Sequence, residues 1–313
     1  MQFTLDDIVR SPLEIIFDET ERIRNETFGD KISFCGIVNI KSGKCRMNCR
    51  FCAQSGHHQT NIETYPLRQS SELAEATRQL WQQGVSRVGW VASGPSPAPD
   101  ELDQIIASAE SVLSDNDTDS GTESTGTLCC ASLGQLHSKP LERLKTAGFR
   151  RYHHNLETSE RFYPSICTTQ RWQDRFATVE RVKNLGWEIC SGGLFGLGES
   201  WQDRWDLAMT LKHLEVDSVP LNFYNAVAGT PFADRPPLSM DEALRIVALF
   251  RTALPKAAIR ICGGRPKIFA ENSGLLFRAG ADALMTGNYL TTTGVTPQRD
   301  KELIQHCGLR CSS

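Results

Sequence analysis

Ile32-Ser33-Phe34-Cys35-Gly36-Ile37-Val38-Asn39-Ile40 runs almost directly into Lys44-Cys45-Arg46-Met47-Asn48-Cys49-Arg50-Phe51-Cys52. The first stretch is apolar and rich in strand formers, which predicts a buried strand. The second places three thiols at spacing C-x3-C-x2-C, with the aromatic Phe51 just before the last. Three thiolates on a short loop can hold three irons of a cubane iron–sulfur cluster and leave the fourth without a protein ligand. An iron left open in this way can bind a small chelating molecule. Zinc and buried structural thiols are the alternatives. Zinc sites commonly close with four ligands in C-x2-C pairs, and no second pair lies nearby.

Outward from this stretch, helices and strands alternate. Strands are expected at 32–40, 85–91, 127–132, 149–155, 187–192, 216–223, 257–262 and 283–286. Helices are expected from Ser71 to Gly84, Asp100 to Leu113, Pro140 to Ala147, Trp172 to Leu185, from Ser200, from a capping box at Ser239 and Glu242 to Leu254, and from Ile268 to Ala279. Eight buried strands separated by helices predict an α/β fold, and eight is the number at which a parallel sheet closes into a (β/α)8 TIM-type barrel. A doubly wound open sheet is disfavoured, because no phosphate-binding glycine turn follows the first strand. The barrel puts the cysteine loop at the C-terminal mouth, where barrel active sites lie. The expected organisation is one domain over 1–313, with an N-terminal helix over 4–24 interrupted at Pro12. Its other landmarks are a cluster loop over 41–58 and a low-complexity surface loop over 114–126.

A formal net charge of -3 gives no broad basic field for nucleic acid. No apolar run reaches the ~18 residues of a membrane span. Met1 to Arg10 is acidic and amphipathic, unlike a signal peptide. Eleven cysteines without evenly spaced pairs point to a reducing, cytoplasmic setting and to thiols kept for metal or redox work.

Four further cysteines fall on the odd strands: Cys35, Cys130, Cys190 and Cys262. Each interior layer of an eight-stranded barrel takes four side chains from alternate strands. These thiols can therefore meet in the lumen and hold a second cluster. Arg260 precedes Cys262 by two residues, shares its face of the strand, and can balance cluster charge. Simple packing of buried thiols is the alternative. Cys129 should face the opposite side from Cys130, and Cys167, Cys307 and Cys311 have no assigned role.

The three-cysteine loop resembles that of the radical S-adenosylmethionine superfamily. From about Pro12 to Leu309 the chain is similar to the biotin synthase family within it. The stretches that carry the resemblance are Asn39 to Gly43 running into the loop, Cys52-Ala53-Gln54-Ser55, Cys130-Ala131-Ser132-Leu133-Gly134 and His154-Asn155-Leu156-Glu157-Thr158. To these are added Cys190 to Glu199, Asn222 with Gly229-Thr230-Pro231, Arg260 with Gly264-Arg265, and Gly287 to Thr292. The resemblance implies dethiobiotin as substrate. A deoxyadenosyl radical takes hydrogen from an unactivated carbon, sulfur from the auxiliary cluster bonds there, and a second such step closes the ring. It makes Cys45, Cys49 and Cys52 ligands of the radical 4Fe-4S cluster, and Asn155 and Glu157 holders of the S-adenosylmethionine ribose. It sets Asn222 against the ureido ring, with His153 in the substrate pocket, and makes Cys130, Cys190 and Arg260 auxiliary-cluster ligands. It also implies an external electron donor such as flavodoxin or ferredoxin, and a homodimer.

The chain departs from the family pattern. The second strand, Ser86 to Gly94, lacks the cysteine ligand of the best-known form, whereas Cys35 and Cys262 stand where that form has none. The ligand set thus looks relocated. The auxiliary cluster is expected to be either the familiar 2Fe-2S type or a four-iron variant carrying an extra sulfide, and the relocation favours the second. Glu157 replaces an Asp and His153 an Asn. The rival readings are a radical enzyme of the methylornithine synthase or hydrogenase maturase type, lacking a sacrificial sulfur source, and a non-catalytic iron–sulfur protein.

Overall fold

The computed structural model describes residues 3–114 and 128–312; apart from its first residue, the expected surface loop at 114–126 lies outside them. Strand β1 (Lys31–Lys41) alternates strictly between the outer helix layer and the lumen. Ile32, Phe34, Val38 and Ile40 are buried outward, while Cys35 and Ile37 line the inner cavity. The period of two that hides one face under helices sends the other inward. Seven further staves follow: β2 (Arg87–Ala92), β3 (Leu128–Ser132), β4 (Arg151–His153), the interrupted pair β5 (Glu188–Cys190) and β6 (Gly193–Phe195), β7 (Ser218–Phe223), β8 (Ala258–Ile261) and β9 (Ala283–Met285). All pair in parallel, and β9 returns to β1 through Ser33–Ala283, Phe34–Leu284 and Cys35–Met285. The sheet is therefore a closed parallel barrel of the expected class. A short β10 (Arg310–Cys311) adds to the start of β1 outside the ring.

Helices α1 (Leu5–Arg10), α2 (Leu13–Phe28), α3 (Ser70–Gln82), α4 (Pro99–Ser114), α5 (Ser138–Thr146), α6 (Trp172–Asn184), α7 (Trp201–His213) and α8 (Met240–Ala253) cover the outside. Pro12 splits the first segment in two, and the second half runs four residues past Arg24. Each outward strand position packs apolar groups on this layer; Trp90, for example, meets Phe149 edge-on at 5.7 Å and donates its indole N–H to Thr77 at 3.0 Å. The cysteine Cys129 is buried on this outer side, as its parity requires.

Three local expectations are corrected. Helix α3 starts at Ser70, and its cap is Gln69, whose N–H donates to Glu72 at 2.9 Å. Ser239 accepts from the Glu242 N–H at 3.1 Å, but the Glu242 carboxylate turns to Arg204 at 2.7 Å instead of closing a capping box. The helix expected over 268–279 breaks into α9 (Arg265–Phe269) and α10 (Leu275–Arg278), with a tight turn over Ala270–Gly274 between them. Asn272, Ser273 and Gly274 are weak helix formers that favour turns. A last helix, α11 (Pro297–His306), packs against the Ala270–Gly274 turn and β10.

Arg265 joins α11 to the barrel through Asp300, at 2.8 Å, with both side chains 1% exposed. Burial pushes the Asp300 carboxyl up, and Arg265 opposes that. Removing one partner of such a pair leaves an uncompensated charge in the interior. Asp300→Ala is expected to lower stability by about 3–5 kcal/mol, read as a shift in the chemical-denaturation midpoint; a loss below about 1 kcal/mol, the range of exposed pairs, would contradict the buried-pair account.

Candidate active site at the barrel mouth

Beyond β1 the chain leaves the barrel, and the cysteine loop folds back on itself. The Cys45 N–H donates to Gln54 O at 2.9 Å, the Gly56 N–H to Cys45 O at 2.7 Å, and the Ser55 hydroxyl to Met47 O at 2.7 Å. Lys44 sits in the left-handed region (φ 53), one of four described non-glycine residues that do. The loop is also docked against residues 163–170. Asn48 Oδ1 accepts from the Thr168 N–H at 3.0 Å, and the Arg50 N–H donates to Ile166 O at 2.9 Å. His57 and His58, which follow the loop, bond back to it: His58 Nε2 lies 2.9 Å from Cys49 O and His57 Nε2 3.0 Å from Arg46 O.

Cys45, Cys49 and Cys52 face one cavity of about 440 Å³ that runs into the lumen. The same cavity is lined by Cys35, Cys130, Cys190, Cys262 and Arg260, and by Asn155, Glu157, Asn222 and His153. Every candidate cluster-ligand, ribose and substrate residue named from sequence is therefore on its wall. Among the described residues no three His, Cys, Asp or Glu side chains converge to hold a single metal ion. A cubane takes each thiolate on a different iron, so its ligands stand apart.

The chemistry of the donors fits clusters. Contact with the Cys167 thiol and burial push the Cys49 thiol up, and burial pushes Cys52 up to about 11. Burial likewise raises Cys130 to about 11, and raises Cys190 and Cys262. Such thiols stay protonated alone and deprotonate on binding metal, which couples binding to proton release. Burial alone would lower the Arg260 guanidinium; the thiol groups of Cys35, Cys190 and Cys262 outweigh it and raise it. Arg260 Nη2 donates to the Ser33 hydroxyl at 3.3 Å, whereas Nη1 is buried with no partner. A buried cationic donor beside three thiols matches an anionic cluster.

The wall at the end of β4 is a continuous polar chain. The Ser132 hydroxyl meets His153 Nδ1 at 2.9 Å, and His153 Nε2 meets Asn155 Oδ1 at 3.0 Å. Asn155 Nδ2 donates to Glu157 Oε2 at 3.4 Å, and Arg175 Nη2 donates to Glu157 Oε1 at 3.0 Å. Burial pushes the Glu157 carboxyl up, opposed by Arg175 and Asn155. Burial also holds His153 down to about 4, so its ring is neutral near pH 7. Glu157 adopts φ 71, and its carbonyl accepts from Leu194 N–H at 2.9 Å. A Cβ on Gly193 would lie 2.5 Å from that carbonyl, and one on Gly192 2.1 Å from Pro220 O. The paired glycines let backbone pass backbone here and are not a phosphate turn.

Asn222 is also tied to backbone. Its Oδ1 accepts from Gly263 N–H at 3.1 Å, and its Nδ2 donates to Gly193 O at 3.3 Å. One lone pair and one N–H remain for a ligand. Three neighbours escaped the sequence reading. Arg175 reaches the wall from the first turn of α6 and Gln170 from the loop just before it, and Cys167 packs against Cys49. No periodicity marks them, because Arg175 and Gln170 meet their partners only through the return of the loop after β4, and Cys167 meets Cys49 on the cysteine loop.

The model of the Radical SAM superfamily matches residues 39–211, and that of the Biotin and Thiamin Synthesis associated domain matches residues 220–310. The chain is 47% identical over 302 residues to the biotin synthase of Desulfovibrio desulfuricans, covering 96% of this chain and 93% of that one. It is 44% identical to the biotin synthase of Thermodesulfovibrio yellowstonii, over 94% and 90% of the two chains. Among solved structures, methylornithine synthase superposes with TM-score 0.84 at 18% identity, covering 100% of this chain and 95% of that one. The FeFe-hydrogenase maturase of Carboxydothermus hydrogenoformans gives 0.81 at 17%, covering 99% and 76%. These two share the fold. With that level of identity to curated relatives along nearly its whole length, the chain belongs to the biotin synthase family of the radical S-adenosylmethionine superfamily.

Proposed function

We propose that this chain converts dethiobiotin to biotin, with the radical made at the mouth and the sulfur held in the lumen. The observation that carries the reading is the single cavity lined by both sets of thiols. Cys45, Cys49 and Cys52 would hold the 4Fe-4S cluster, while Cys35, Cys130, Cys190 and Cys262 with Arg260 would hold the auxiliary one. When bound, the first cluster with S-adenosylmethionine supplies a carbon radical, and the second supplies sulfur.

The chain's own part is placement and shielding. A primary carbon radical attacks almost any C–H bond it meets, so the target carbon must be held against it and water kept out. Asn155 and Glu157, braced by Arg175, orient the ribose at the mouth. Asn222 offers its remaining donor and acceptor to the ureido ring below. Arg260 offers its unpartnered Nη1 to the auxiliary cluster at the deep end.

Gly89 supports the relocated ligand set. It lies on the lumen face of β2, in register with Cys130 on β3 and Ile37 on β1. A Cβ there would meet only ordinary contacts, the nearest Ile37 Cγ2 at 3.5 Å. Packing thus does not impose glycine at this position, and its lack of a side chain leaves lumen space beside Cys130. That space favours a larger, four-iron auxiliary cluster. The remaining parts of the reading are one domain, a homodimer, a cytoplasmic setting, and an electron donor of the flavodoxin or ferredoxin kind. For the setting, no helix among the described residues is long and apolar enough to cross a membrane.

Anaerobic incubation of the reconstituted chain with dethiobiotin, S-adenosylmethionine and a strong reductant tests the activity. Biotin and deoxyadenosine should both form. Deoxyadenosine without biotin, from a protein holding one cluster, would favour a radical enzyme of the methylornithine synthase or maturase type.

A further inference from the structure

His153 ends β4, and Asn155 and Glu157 follow it in the loop beyond; all three side chains line the cavity. The Gly192 backbone N–H donates to Asn155 Oδ1 at 3.1 Å, which fixes that atom as the oxygen. His153 Nε2, 3.0 Å from the same oxygen, must then carry the proton. In a neutral ring Nδ1 is therefore bare and accepts from the Ser132 hydroxyl at 2.9 Å. Both ring nitrogens are engaged within the protein, and neither is left for a substrate. The Asn155 oxygen in turn has both lone pairs filled, by Gly192 and by His153. Its amide can turn to a ligand only the Nδ2 side. Beside it the Glu157 carboxylate offers only acceptors.

We infer that His153 is a positioning residue for the ribose subsite, set by Ser132 and acting through Asn155, and does not touch the substrate. The wall then reads a vicinal diol with fixed polarity: one hydroxyl accepts from Asn155 and the other donates to Glu157. This inference rests on the proposed seat of S-adenosylmethionine at Asn155 and Glu157.

A binding cycle tests it. Reconstituted wild-type protein, His153→Ala, Ser132→Ala and Asn155→Ala are titrated with S-adenosylmethionine and with analogues lacking one or the other ribose hydroxyl. Dethiobiotin affinity is measured in parallel, and thermal melting monitors folding. In the wild type, deleting the hydroxyl that meets Asn155 should weaken binding about 3- to 10-fold, the range of one hydrogen bond. In His153→Ala that penalty should shrink to under about 3-fold, with a smaller reduction in Ser132→Ala, which keeps the ring and its packing. Dethiobiotin affinity should be unchanged in both. An undiminished hydroxyl penalty in the two variants, or a loss confined to dethiobiotin, would overturn the inference. An undiminished penalty in Asn155→Ala would instead show that the ribose sits elsewhere, and the seat itself would fall.

Discussion

Cys35→Ala combined with Cys262→Ala is expected to leave reductive cleavage of S-adenosylmethionine near the wild-type rate and to stop biotin formation. Both thiols line the lumen portion of the cavity. Each lies near the Arg260 guanidinium and interacts with the Cys190 thiol. Neither belongs to the hydrogen-bonded cysteine loop, which folds on Gln54, Met47 and residues 163–170. Loss of two of the four thiol ligands should empty the auxiliary site while the mouth stays intact. The measurement pairs iron and sulfide content with the two products. Normal biotin output from the double variant would mean that these cysteines only pack.

Cys49→Ala should lose both reactions. The outer-shell partners of a metal site already cost about 10- to 100-fold in affinity or activity when removed, so loss of a direct ligand should exceed a hundredfold. The effect is expected on deoxyadenosine formation even without dethiobiotin, because the cut falls on the radical step. Cys167→Ser, beside it, is the informative control. Cys167 touches Cys49 but bonds weakly to Asn48 and Thr169, at 3.5 and 3.6 Å, and lines no part of the cavity. It should keep its iron. If Cys167→Ser loses the radical cluster and Cys49→Ala keeps it, the ligand assignment within this loop is wrong.

The barrel was legible because its strands are buried on both faces and its helices carry ordinary stop signals. Ile32 to Ile40 reads as a strand whichever face is considered, and eight such stretches leave little choice of closure. That Cys35, Cys130, Cys190 and Cys262 line one cavity fits the rule that alternate strands share an interior layer. Arg175 was not legible. It sits on a helix with no distinctive spacing, and only the return of the loop after β4 brings it to Glu157 at 3.0 Å. The same holds for Ser132, whose bond to His153 joins neighbouring staves. The break after Phe269 was missed because a helical pattern of apolar residues continued across Asn272-Ser273-Gly274, and turn chemistry overrode it.

The central claim is that the lumen thiols hold the sulfur that enters the product. The direct test is the mass of biotin made by chain reconstituted with isotopically labelled sulfide, with and without Cys35 and Cys262. The account predicts labelled biotin from the wild-type chain and none from the double variant. Unlabelled biotin from the first, or labelled biotin at equal yield from the second, would contradict it.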